Sequence, residues 1–315
     1  MAEAAVLAPS QWQPRADAHA ARTDSFTAAH RARARRGQTH PVWDFLFSYY
    51  SLRPRQLRVW HPGHGAVLAG AAAVSYLDRP GYVTVADGVT VGAEYLRART
   101  PTVHFVAGLL RSTAGRAPRF GCFGMHEWAM VYRAGSVRHT AVPLRLGADA
   151  TDAVVESMPL RCSHYDAYRF FTPAAAARNE GRPARATQRQ WEQPGCLHAN
   201  MDLYKWCYKL GPLVESGLLI QCLELAAHAR ELDMRASPYD LREYGLEPIA
   251  VEESAGRAEY VRRQVAVAER AAPLRAALRK HCEGLLASSA GRAAAIRVGA
   301  DRRIGSGDFP SGRNQ

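Results

Sequence analysis

A Pro-Gly break at Pro194-Gly195 opens the run Cys-Leu-His-Ala-Asn-Met-Asp-Leu-Tyr-Lys-Trp-Cys-Tyr-Lys-Leu, which ends at Leu210. The run predicts a helix. Four-residue spacing puts His198 and Asp202 on one face of it. Trp206 continues that face, flanked by Tyr204, Lys205 and Cys207. An imidazole, a carboxylate and an indole in line do not describe an ordinary surface helix. They describe the wall of a pocket, for a metal or for a flat ring, and the fold has to be arranged around it.

The same association recurs along the chain. His40 precedes Trp43 and Asp44; His126-Glu127-Trp128 is contiguous; His164, Tyr165, Asp166 and Tyr168 form a third group; Glu224 and His228 are four apart. One buried histidine is ordinarily a satisfied core residue or a helix cap. Several imidazoles and carboxylates in apolar, aromatic surroundings are costly to bury unless they pair or hold a ligand. The pattern therefore predicts convergence on a shared site.

A chain of 315 residues with 47% hydrophobic content can bury a substantial core. Its formal charge of +12, carried almost wholly by arginine, favours anionic partners, with DNA foremost. The same bias also follows from GC-rich coding. The six cysteines lack CxxC spacing, which argues against a zinc ribbon and for buried thiols in a reducing cytoplasm. No secretory signal and no apolar run of membrane-spanning length is present, so no membrane partner is expected. Oligomeric state is not legible.

The expected fold is mainly α: a single multi-helix domain over 40–285 with a small β-hairpin, a mobile basic N-terminal arm over 1–39 and a disordered tail over 286–315. Tyr82 to Val91 around Asp87-Gly88 gives the hairpin. Helices are expected over 40–50, 92–112, 125–133 and 212–231, and as a pair over 253–285 broken at Pro273. Strand and loop are expected over 137–160, and a surface loop over 174–191.

Two chemistries fit the recurring groups. Excision of a damaged base needs a snug cavity with rings above and below it. Trp43, Trp128, Tyr165, Tyr168, Phe171 and Trp206 could supply the rings, and a cationic methylated purine would gain cation–π attraction. A carboxylate must then stabilise the sugar cation and orient water. Asp202 is the first candidate, with Glu127 and Asp166 next, while His126, His164 and His198 shape the pocket. This reading needs no cofactor. Lys205 beside Asp202 would permit a lyase variant. The alternative is a metal-dependent enzyme acting on a small molecule, with imidazole and carboxylate from several helices holding iron or manganese. HExxH, GxSxG, Walker and GxGxxG patterns are absent. Cys162 and Cys196 each lie two residues before a histidine and are candidate thiolate nucleophiles.

The blocks HPVWDFLFSYYSLRPRQLRVWHPG (40–63), FGCFGMHEWAMVYR (120–133), RCSHYDAYRFFTP (161–173), EQPGCLHANMDLYKWCYKL (192–210) and ELDMRASPYDL (231–241) resemble a mainly actinobacterial family catalogued as 3-methyladenine DNA glycosylases. The likeness covers roughly residues 20–280. It implies hydrolysis of the N-glycosidic bond of alkylated purines. The Leu-Pro-Gly-x-Gly hairpin of helix-hairpin-helix glycosylases is absent, so the candidate residues rest on their chemistry alone.

Overall fold

The computed structural model describes residues 5–135 and 142–304, with side chains through 290. In chain order the helices are α1 (Pro9–Arg35), α2 (Phe45–Ser48), α3 (Pro54–Leu57), α4 (Ala93–Ala114), α5 (Met125–Ala129), α6 (Ala148–Ser157), α7 (Tyr165–Tyr168), α8 (Pro173–Arg178), α9 (Gln188–Trp191), α10 (Leu197–Leu210), α11 (Ser216–Arg235) and α12 (Ser254–Ile304). The fold is mainly α, as expected.

Helix α10 is the centre. It packs on α11, α12 and α4, and only His198, Tyr208 and Lys209 along it escape full burial. Its entry is fixed by Gly195, where an added Cβ would meet the Arg119 backbone oxygen at 2.6 Å. The chain before α10 can run that close to the 119–124 loop only without a side chain. Burial of nearly every face explains why the run preceding Leu210 lacks a solvent stripe.

The β element exceeds the expected hairpin. Strands β3 (Tyr82–Val85) and β4 (Gly88–Val91) form that hairpin, with Tyr82 opposite Val91. Strand β2 (Ala66–Leu68) pairs antiparallel with β4, and β1 (Ala5–Leu7) pairs parallel with β2, so the sheet order is β1-β2-β4-β3.

Residues 5–35 are accordingly not an arm. Trp12, His19, Thr23 and Thr27 of α1 are buried at helical spacing. The Trp12 indole donates to the Ala69 carbonyl at 3.1 Å, and a His19 ring nitrogen lies 2.8 Å from the Leu57 carbonyl oxygen. Periodic small and polar residues hid this face from a hydrophobicity reading. Residues 1–4 lie outside the described residues.

Pro273 breaks nothing. Helix α12 runs through it because Tyr260, Gln264, Val267, Ala271, Leu278, Cys282 and Leu285 form one continuous buried stripe, which outweighs the lost backbone bond. The helix continues over 286–304, where a tail was expected; 305–315 lie outside the described residues. Over 40–50 only the four residues of α2 are helical, and the helix expected over 125–133 stops at Ala129. Helix α6 lies in the stretch read as strand and loop, and α8 and α9 lie in the one read as loop.

Candidate metal centre

His126 reaches the interior on α5, every residue of which is buried. The chain enters α5 through two consecutive left-handed residues, Phe123 (φ 48°) and Gly124 (φ 71°). A left-handed phenylalanine is strained, and such strain persists where the surrounding packing fixes it. The Trp128 indole donates to the Ala236 carbonyl at 2.8 Å and ties α5 to the end of α11. Asp233 on α11 and His198 on α10 complete a first triad with His126, whose ligand atoms all lie within 4.8 Å of one another.

The contacts inside this triad are unusual. His126 Nε2 and Asp233 Oδ1 are 2.9 Å apart as a buried ion pair, and neither atom has a hydrogen bond to any other described side chain. The His198 ring stands edge-on to His126, centroids 4.4 Å apart. The His198 side chain makes ring contacts with His126 and His164 and no hydrogen bond among the described residues. Arg230 Nη1 donates to Glu127 at 2.8 Å and to Asp233 Oδ2 at 3.1 Å, so that Oδ1 is the oxygen facing His126 Nε2. Burial alone would raise the Asp233 carboxyl; His126 outweighs it and holds the group well below the usual range. Burial opposes charge on His126, but Asp233 raises its pKa well above the ordinary value. Burial, aided by His126, keeps His198 neutral.

A second triad, His164, Glu192 and Asp202, also has ligand atoms within 4.8 Å of one another. His164 Nε2 lies 3.2 Å from Asp202 Oδ2 and 3.5 Å from Glu192 Oε1. Tyr50 donates to Asp202 Oδ1 at 3.2 Å. Lys205, one turn on from Asp202, places Nζ directly on Asp202 Oδ2 and 2.8 Å from Asp166. Burial would raise Asp202, but Lys205 and then His164 pull it well below the usual carboxylate range. Lys205 is correspondingly held above its usual value by Asp202 and Asp166, against the effect of burial. Burial pushes Glu192 up. The triads meet at α10, where the His198 ring lies near-parallel to His164 with centroids 5.3 Å apart.

Two cavities share His198 as a lining residue. The first, about 350 Å³, reaches His126 and His198 past Arg119, Phe120, Cys122, Arg161, Cys162, Cys196, Leu197 and Tyr260. The second, about 310 Å³, is lined by Phe45, Tyr49, Phe170, Glu127, Asp166, Arg230 and His198. Asp202, at 2% side-chain exposure, lines neither.

Of the residues singled out by sequence, His126, His164, His198, Glu127, Asp166 and Asp202 come together. The expected ring sandwich does not. Trp128 is core, Trp206 packs on Phe105 at 5.5 Å, Tyr168 packs on Phe171 at 5.2 Å, and Trp43 lines a separate groove with His30 and Arg33. None of these rings, nor Tyr165, lines either cavity. Asp44 is engaged by Arg33 and His30, and Glu224 by Arg22 at 2.6 Å, so neither pair joins the cluster. Cys162 and Cys196 do line the first cavity, but burial pushes the Cys162 thiol up to about 12 and Cys196 well above its usual value, so they are thiols rather than nucleophilic thiolates. A Lys205 held as ammonium is likewise no amine nucleophile.

Sequence reasoning missed Glu192, Asp233 and Arg230. Arg230 and Asp233 stand one turn apart among Ala226, Ala229 and Met234, an ion pair written into an apolar helix face, which is the signal that could have found them. No protein-family model, curated protein or solved structure matches this chain.

Proposed function

We propose that the protein is a metal-dependent enzyme that holds iron or manganese on His126, His198 and Asp233 and acts on a small molecule entering by the first cavity. One observation carries this reading: two imidazoles and one carboxylate converge, with His126 Nε2 and Asp233 Oδ1 buried 2.9 Å apart and engaged by no other side chain in a hydrogen bond, beside the His198 ring. Two histidines and one carboxylate with open positions are the ligand set of non-haem iron oxygenases. Arg230 and Glu127 hold Asp233 in orientation from behind, as carboxylate ligands require. The metal would supply a Lewis acid and free coordination positions for substrate, water or dioxygen. Arg119 and Arg161 at the cavity lining suit an anionic group, and Phe120, Leu197 and Tyr260 suit an apolar body. This reading expects a reducing cytoplasm, with Cys207 and Cys222 as free thiols, their sulfurs 3.8 Å apart.

Metal analysis of protein purified without added metal tests it. The expected result is stoichiometric iron or manganese, lost in His126→Ala and His198→Ala variants that keep their helical circular dichroism. Metal-free protein that takes up neither ion at millimolar concentration would overturn it.

A second reading, excision of alkylated purines such as 3-methyladenine from DNA, is favoured by the second cavity. There Phe45, Tyr49 and Phe170 bring rings, and Glu127 and Asp166 bring carboxylates, beside His198. The charge of +12 suits a DNA partner. Release of free 3-methyladenine from methylated duplex, abolished by Glu127→Gln with duplex binding intact, would establish it over the first. A chelator-stripped protein that still releases base would do the same.

A further inference from the structure

We propose that the ammonium of Lys205 is a built-in cation standing where a second metal ion would otherwise bind, and that it makes the centre mononuclear. The inference rests on the metal-site reading above. His164, Glu192 and Asp202 offer one imidazole and two carboxylates within 4.8 Å of one another, the same mutual spacing as the two imidazoles and one carboxylate of His126, His198 and Asp233. Beyond that difference in donors, the two groups differ in the fixed cation on the carboxylate. Lys205 Nζ lies directly on Asp202 Oδ2, the same oxygen that is 3.2 Å from His164 Nε2. The ammonium also bonds Asp166 at 2.8 Å and lies 4.7 Å from the centre of the Trp206 ring.

Residue choice supports the same conclusion. The chain has only three lysines, Lys205, Lys209 and Lys280, and otherwise uses arginine for positive charge. A guanidinium is a planar fork, whereas an ammonium is a compact point charge with donors in three directions. Only the latter can occupy the volume of a metal ion among carboxylates. In the first triad the nearby fixed cation is an arginine, Arg230, which takes the outer oxygen of Asp233 and leaves Oδ1 to a fellow donor of the triad, His126 Nε2, 2.9 Å away. Lys205 takes the oxygen of Asp202 that faces His164. Placement on α10 makes this automatic: Lys205 follows Asp202 by three residues, on the same face.

The test is manganese stoichiometry, by equilibrium dialysis and electron paramagnetic resonance, on the full-length protein and three variants. Wild type is expected to bind one equivalent with the signal of an isolated ion. Lys205→Met is expected to bind two, with spin coupling between them, and its thermal midpoint is expected to rise more on manganese addition than that of wild type. Lys205→Arg and Asp202→Asn are expected to bind one. Two equivalents in wild type, or one in a folded Lys205→Met, would overturn the inference while leaving the metal site standing. If Lys205→Met does not fold even with manganese present, Asp202→Asn decides: its loss of the single equivalent makes the second triad the true site and overturns the inference. No uptake by wild type would instead remove the underlying reading.

Discussion

Two His/carboxylate triads share helix α10, and they differ in how positive charge reaches them. Around His164, Glu192 and Asp202 an ammonium is delivered by the chain itself and sits on the ligand oxygen. Around His126, His198 and Asp233 the fixed cation, Arg230, stands behind the carboxylate and leaves its other oxygen to His126 Nε2, 2.9 Å away. Glu127, Asp233, Glu192 and Asp202 are all within 5% side-chain exposure; among the described residues Arg230 contacts Glu127 and Asp233, Lys205 contacts Asp202, and Glu192 pairs with His164. Buried carboxylates need compensation, so protons on imidazole or a divalent ion must complete the balance. Donor identity alone therefore does not make a metal site. On the proposed metal-site reading, the position of the chain's own fixed cation relative to the donor oxygen would decide which triad takes an ion.

The largest effect expected from breaking this comparison is on stability. Arg230→Met strips the cation from Glu127 and Asp233 and should cost about 3–5 kcal/mol in urea unfolding of metal-free protein. An unchanged midpoint would show that Arg230 is not their counterion. Next comes affinity. Changes behind a ligand already cost roughly 10–100-fold, so Asp233→Asn should weaken manganese binding by more than about 100-fold, while Asp202→Asn leaves it unchanged. Equal losses in titration calorimetry would erase the distinction between the triads. Gly195→Ala should then cost about 1–3 kcal/mol, because the new methyl meets the Arg119 backbone, and should weaken metal binding less than Asp233→Asn does. A crystal structure of the variant with an unshifted 119–124 loop would contradict it.

The smallest effect sets the background. Burial holds His61 down to about 4, and the unfolded chain takes that proton near 6.5. Below pH 6.5 the unfolded state binds more protons, so stability falls as pH drops from about 6.5 toward 4. The His61 contribution is about 1 kcal/mol between pH 6.5 and 5.5. His61→Gln should flatten the fall by that amount with or without manganese, exposing whatever part belongs to the metal. A slope unchanged in the variant would place the proton uptake elsewhere.

The centre was half legible in the sequence. His198 and Asp202 could be placed together because a helix enforces four-residue neighbours, and α10 is the element whose pattern was least disturbed. His126 and His164 could be suspected from their aromatic surroundings, but nothing in one chain says which face of a four- or five-residue helix points inward. The tryptophans misled for the same reason. Indoles enrich cores as readily as pockets, and Trp128 and Trp206 are core. Asp233 stayed hidden because its partner His126 is 107 residues away in the chain; only the packing of α5 on α11 joins them. The hairpin was readable from Asp87-Gly88, whereas the parallel pairing of Ala5 with Ala66 has no turn to announce it. Pro273 failed as a punctuation mark because the stripe on α12 runs straight across it.

His198 is a party wall one imidazole thick. A guest pressing on it from the arginine side and a guest pressing from the acidic, ring-lined side would contend for the same plane of five atoms, although they share no chemistry. Two such compounds should therefore antagonise each other without ever meeting, and a screen that scores only one chamber would misread the second compound as acting from afar.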